Sequence, residues 1–122
     1  MAEIITPAIV EKRLHALSKE IDVAHKDLIE AESNYNDIKT RYELAMARSR
    51  MHYASTSSPA GKNYTVQERE DLALIDNHEL FLQIGIADAQ VKAVRANTAR
   101  LRIQTEIARR VGTSVRTSMD LT

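Results

Sequence analysis

Six heptads of uninterrupted apolar spacing set the first limit on what this chain can fold into. From Val10 the apolar or small residues fall at Val10, Leu14, Leu17, Ile21, Ala24, Leu28, Ala31, Tyr35, Ile38, Tyr42, Ala45, Ser49 and His52. The steps alternate four and three, which is the a/d seam of a coiled coil. Neither Pro nor Gly interrupts between Ala8 and Ser58, and Pro7 suits the first turn of a helix, where its missing N–H costs nothing. A helix over residues 7–54 is roughly 70 Å long at about 1.5 Å per residue. Such a rod cannot bury its seam on itself, so the spacing demands a partner helix.

The chain supplies a candidate. In "TVQE", Thr65 can cap the first free N–H groups while Glu68 reaches back, a reciprocal capping box. Glu68, Glu70 and Asp71 place negative charge where the helix dipole favours it. An apolar pattern follows through Leu72, Leu74, Ile75, Leu80, Phe81, Leu82, Ile84, Ile86, Val91, Val94, Leu101, Ile103 and Ile107. Arg109, Arg110 and Gly112 resemble a helix end, although Val115 and Arg116 keep the heptad phase. The spacing therefore predicts helix 1 over about 7–54, a loop over 55–64, helix 2 over about 65–111 and a loose tail over 117–122. With three glycines, two prolines and 122 residues, this is one all-α domain: a long antiparallel, coiled-coil-like helical hairpin.

Between Leu72 and Ile86 the apolar residues cover more than one helical face. A lone hairpin leaves much of that patch wet, and large exposed apolar patches mark interfaces. Leu72, Leu74, Ile75, Leu80, Phe81, Leu82, Ile84 and Ile86 are the expected homo-oligomer interface. Gly85, inside this segment, fits close helix approach there.

Several classes are set aside. No cysteine is present, which rules out disulfides and thiolate metal sites and fits a reducing cytosol. His15, His25, His52 and His78 lack metal-binding helical spacing, so no metal is expected. The "GK" of the loop is not a Walker motif: the glycine five positions earlier is missing, and Asn63 stands where Ser or Thr is required. No nucleophile–base constellation assembles, so we expect neither an enzyme nor a cofactor. The start of the sequence lacks a basic n-region and a sustained apolar core, and no stretch approaches a membrane span. The expected location is cytoplasmic, without membrane contact.

Charge is balanced overall, at 17 basic and 17 acidic residues, but segregated. Residues 1–38 hold four basic and eight acidic groups; 39–62 hold five and one; 63–91 hold one and six; 92–122 hold seven and two. Folded as a hairpin, each basic block lies beside an acidic one, so complementarity can set the antiparallel orientation. One feature resists that reading. Arg95, Arg102, Arg109 and Arg116 recur every seven residues, each just after a d position. In a hairpin bent near residue 60, the first three face His25, Ser18 and Glu11, only one of which is an acid. Around the bend, Lys39, Arg41, Arg48, Arg50 and Lys62 accompany His52, Tyr53 and Tyr64. Cations beside rings outside the seams are how single-stranded nucleic acid is held.

The order of these features resembles one family, the small helical recombination mediators of bacteriophages (the UvsY type). The likeness rests on "RYELAMARSRMHYAS", a polar loop, "YTVQEREDLALIDNHELFLQIGIADAQVKAV" and the basic "RLRIQTEIARR". The resemblance implies a ring-like homo-oligomer that binds single-stranded DNA, displaces single-strand-binding protein and helps load a RecA-type recombinase in a bacterial host cell. The nucleic-acid-binding residues are then expected at Lys39, Arg41, Arg48, Arg50, Tyr53, Lys62 and Tyr64, with Arg95, Arg102 and Arg109 from the stripe. The alternative is a coiled-coil adaptor or assembly chaperone that acts through protein contacts, without nucleic acid. An acidic DNA mimic, supported only by residues 63–91, is a third.

Overall fold

The computed structural model of the chain describes residues 4–120. Its elements are α1 (Pro7–Ala54), α2 (Val66–Asp76) and α3 (His78–Asp120), and no strand is formed among the described residues. The all-α reading is correct.

Local chemistry fixes the element ends. At the start of α1, the Ile9 N–H donates to Thr6 Oγ1 at 3.3 Å and the Val10 N–H to the Thr6 carbonyl at 3.2 Å, with Pro7 in the first turn. At its end the Ser55 and Thr56 hydroxyls donate to the His52 carbonyl at 3.0 and 2.8 Å. The capping box at α2 is closed in both directions: the Glu68 N–H donates to Thr65 Oγ1 at 3.1 Å, and the Thr65 N–H to Glu68 Oε1 at 3.3 Å.

The expected second helix over 65–111 departs from observation at both its middle and its end. It is divided at Asn77, whose φ of −115° and ψ of 22° leave the helical region. The Asn77 side-chain amide donates to the Ala73 carbonyl at 2.8 Å and to Ser49 Oγ on α1 at 2.9 Å. A short amide side chain competes here with the helical ladder. At the other end α3 does not stop near residue 111. It runs to Asp120, so residues 117–120 of the expected tail are helical and 121–122 lie outside the described residues. Gly112 is not a cap. It is buried in the seam against α1, where an added Cβ would sit 2.9 Å from Val10 Cγ1.

The chain forms two compact units, one joining the segment through Glu30 to the segment from Lys92 onward, the other made of Ala31–Val91. In the first, α1 and α3 run antiparallel around Leu17, Ala24 and Leu101, with Ile21 and Ala108 packed on them. Arg13 Nη2 donates to Gln104 Oε1 at 3.3 Å at the edge of this seam. Glu11 pairs with Arg116 at 3.6 Å, one heptad beyond its expected neighbour Arg109. The magnitudes explain the slip. Burying one Leu is worth about 1.5–3 kcal/mol, whereas an exposed ion pair is worth about 0.2–1 kcal/mol. Seam fit therefore decides register, and charge follows.

In the second unit, α1 packs antiparallel on α2 and the start of α3, burying Met46, Ala73, Ala87 and Val91. Tyr42 meets Phe81 with ring centroids 6.1 Å apart. Toward the end of α1 the inward positions are Met46, Ser49 and Tyr53, while His52, expected on the seam, is exposed. A straight α-helix drifts ~20° per heptad against a strict seven-residue repeat, enough to exchange adjacent positions over six heptads.

Two glycine replacements separate packing from propensity. Gly85→Ala, with nothing within 4 Å of the added Cβ, is expected to stabilise the fold by about 0.5–1 kcal/mol. Gly112→Ala gains the same propensity but collides with the stiff Val10 side chain, so its urea midpoint should fall below that of the native protein.

Candidate nucleic-acid interface

The segment joining α1 to α2 is a structured turn. The Gly61 N–H donates to the Ser58 carbonyl at 2.9 Å and the Ser58 N–H to the Lys62 carbonyl at 2.8 Å. Ser57 and Asn63 form an antiparallel bridge just outside it. Gly61 has a φ of 77°, the left-handed conformation that completes a three-residue hairpin loop. Pro59 supplies the fixed φ that the second position of such a turn favours. "SPAGK" thus closes the connection tightly and sets Lys62 at its rim, exposed to solvent.

Three rings lie in a chain beside this turn. His52 meets Tyr53 at 5.1 Å and Tyr53 meets Tyr64 at 5.5 Å, both edge to face. Both tyrosines are half-buried rather than free-standing. The Tyr53 hydroxyl donates to Asp76 Oδ2 at 2.5 Å, which ties the last turn of α1 to the end of α2. Tyr53 was expected outside the seams; helix drift has turned it inward, and it is part of the scaffold that orients His52 and Tyr64.

The expected cations divide into two sets. Arg50 is engaged by Glu70 at 2.7 Å and Arg41 by Asp37 at 3.1 Å. Lys39, Arg48 and Lys62 are exposed and make no ion pair with any described residue. Arg48 lies one helical turn before His52, on the same side of α1. The structure thus brings Tyr53 and Tyr64 together, leaves Arg48 one helical turn before His52 and Lys62 at the rim of the turn, and commits Arg41 and Arg50 elsewhere. Arg69 was not singled out by its sequence. It is half-buried in a cleft lined also by Arg50, Met51, Val66 and Glu70, and its Nε is buried without a hydrogen bond. Its only signal was being the single basic residue of 63–91.

In the other unit, Arg95, Arg102, Arg109 and Arg116 are exposed along α3. Arg116 is held by Glu11, Arg95 has contacts of its own, and Arg102 and Arg109 make no ion pair with a described residue. Of the expected interface residues, Leu72, Leu80 and Ile84 are half-buried within the protomer, while Leu74, Ile75, Phe81, Leu82 and Ile86 are exposed. No group of three His, Asp or Glu side chains that could hold a metal occurs among the described residues. No described helix is long and apolar enough to cross a membrane. No protein-family model, curated protein or solved structure matches the chain.

The hydrogen bond to Asp76 holds the Tyr53 phenol above its ordinary value of 10.0, with desolvation and the charges of Asp76 and Tyr64 adding to the effect. A raised folded-state value contributes stability that is fully present below the unfolded value and is lost as pH rises through the folded one. Native protein should therefore lose thermal stability between neutral and strongly alkaline pH faster than Tyr53→Phe. Parallel melting curves for the two would mean that this bond is not formed in solution.

Proposed function

We propose that this chain is a self-associating, non-enzymatic protein that binds single-stranded DNA and acts as a phage-type recombination mediator, helping to load a RecA-type recombinase. The observation that carries the reading is the ring chain His52–Tyr53–Tyr64 beside a tight turn, with the unpaired, exposed cations Arg48 one helical turn before His52 and Lys62 at the turn's rim. Backbone charge neutralised by nearby cations, with bases stacked against rings, is sufficient for sequence-tolerant binding of a single strand. The unpaired Arg102 and Arg109 offer further phosphate contacts. The partners this reading implies are a second copy, single-stranded DNA, the recombinase and single-strand-binding protein; the expected setting remains the cytoplasm of a bacterial host.

A second reading, a coiled-coil adaptor or assembly chaperone, draws on a different observation. Arg50 and Arg116 are paired with acids on a facing helix, so part of the charge pattern is spent on helix pairing, and Arg41 is paired within α1 itself. The two readings separate in a titration. Anisotropy of a labelled single-stranded oligonucleotide at several salt concentrations should show binding that weakens along a steep log–log slope, because phosphate contacts release counterions. Arg48→Ala should weaken binding and lower that slope by about one, at unchanged helicity. Absence of binding at low salt would leave the adaptor reading.

Self-association has its own test. The exposed Ile75, Leu82 and Ile86, at 65%, 60% and 61% exposure, are too many large apolar side chains for one stretch of a monomer. Light scattering at micromolar concentration is expected to give a mass above the 13.7 kDa protomer; a protomer mass there would remove self-association from the proposal.

A further inference from the structure

Two exposed strips, one in each compact unit, combine large apolar side chains with opposite charge. In the unit made of Ala31–Val91, the outward sides of α2 and early α3 carry Asp71, Ile75, Glu79, Leu82 and Ile86, all exposed. The stretch that holds them, 63–91, has six acidic residues and one basic. In the other unit, later α3 carries Ala93, Ala96, Arg100, Ile103, Ile107 and Arg110, again all exposed. These residues step by three and four, and each lies two positions after a member of the inward series Val91, Val94, Thr98, Leu101, Thr105 and Ala108, which are buried or half-buried. Two positions turn a helix by about 200°, so they form a second seam along an exposed flank of α3, with Ile107 and Arg100 on its near edge bordering grooves against α1. Ile103 and Ile107 are 61% and 55% exposed on that seam.

A second a/d-type seam buries its apolar residues only against another helix. The charges select which. Laying the acidic strip on its own copy puts carboxylates against carboxylates, and laying the basic strip on its own copy puts Arg100 and Arg110 against each other. Glu106 offsets Arg110 within the protomer at 3.6 Å, whereas Arg100 bonds the neutral Asn97 and forms no ion pair, although Glu20 and Asp27 border the same groove. Only the acidic strip of one copy against the basic strip of the next pairs unlike charges while covering both apolar series.

We infer that copies of this chain associate head to tail, the Asp71–Ile86 strip of one docking on the Ala93–Arg110 strip of the next. The contact is heterologous, so each copy uses two different surfaces rather than one self-complementary patch. This inference rests on the self-association proposed above and is independent of DNA binding.

Two double variants test it: Asp71→Lys with Glu79→Lys, and Arg100→Glu with Arg110→Glu, each alone and mixed one to one, by sedimentation velocity. Either alone sets like charges across the contact, and assembly should need on the order of tenfold more protein. In the mixture each reversed strip finds an opposite charge on the other variant, and assembly should return toward native behaviour. A mixture that stays dissociated, or either variant assembling alone like native protein, overturns the head-to-tail assignment while leaving self-association intact. Native protein sedimenting as a protomer throughout overturns both. Should a reversal cost helicity by circular dichroism, the neutral pairs Asp71→Asn with Glu79→Gln and Arg100→Gln with Arg110→Gln replace it. Each should then weaken assembly, and unchanged assembly by both counts against the inference.

Discussion

Everything in this protein depends on how little one helix can bury against one other. Each unit is an antiparallel pairing with a single seam, and a seam occupies only a stripe of each helix. Among the described apolar residues, only Val10, Leu17, Ala24, Met46, Ala73, Ala87, Val91 and Leu101 are buried. Five of these eight are alanine or valine, which brings the helix axes close but removes modest apolar area from water. Hydrophobic surface is accordingly left over along the exposed flanks of α2 and α3. The proposed association would cover that surface, and the sign of charge around each leftover strip is what argues for its head-to-tail form.

The architecture was legible because its signals are periodic and local. The four–three spacing from Val10, Pro7 at the helix start and the Thr65–Glu68 box each act within a turn or two of helix, where sequence neighbours are spatial neighbours. Asn77 was hidden for the opposite reason. Its amide reaches Ser49, 28 positions earlier, and no pattern within 65–111 announces that contact. Gly112 looked like a stop because glycine commonly ends helices. Only the presence of Val10 across the seam shows that it is there for clearance.

The candidate site was legible in composition and less so in geometry. Counting cations near the bend found Arg48 and Lys62, but could not show that Arg50 is taken by Glu70 or Arg41 by Asp37. Those pairings are set by which faces meet. A strict heptad places His52 inward and leaves Tyr53 outside the seam. The cumulative drift of a straight helix exchanges the two, and the exposed ring is the imidazole. The one-heptad slip between Glu11 and Arg116 has a different origin: the fit of Val10 on Gly112 outweighs an exposed ion pair.

The break at Asn77 divides the chain's helical backbone unequally in its resistance to opening. α2 is 11 residues long and buries only Ala73, whereas α1 and α3 span 48 and 43 residues. Isolated helices shorter than about 12–15 residues are marginal in water, so α2 persists through its cap, the Arg50–Glu70 pair and the tether from Tyr53 to Asp76. It is the segment that can melt and re-form while the long helices keep their contacts, a local unfolding unit of low cost. Amide hydrogens there should exchange soonest among the helical ones. Any ligand that holds the turn and Tyr64 in place would slow that exchange, so the short helix would report occupancy of the tip through its own order.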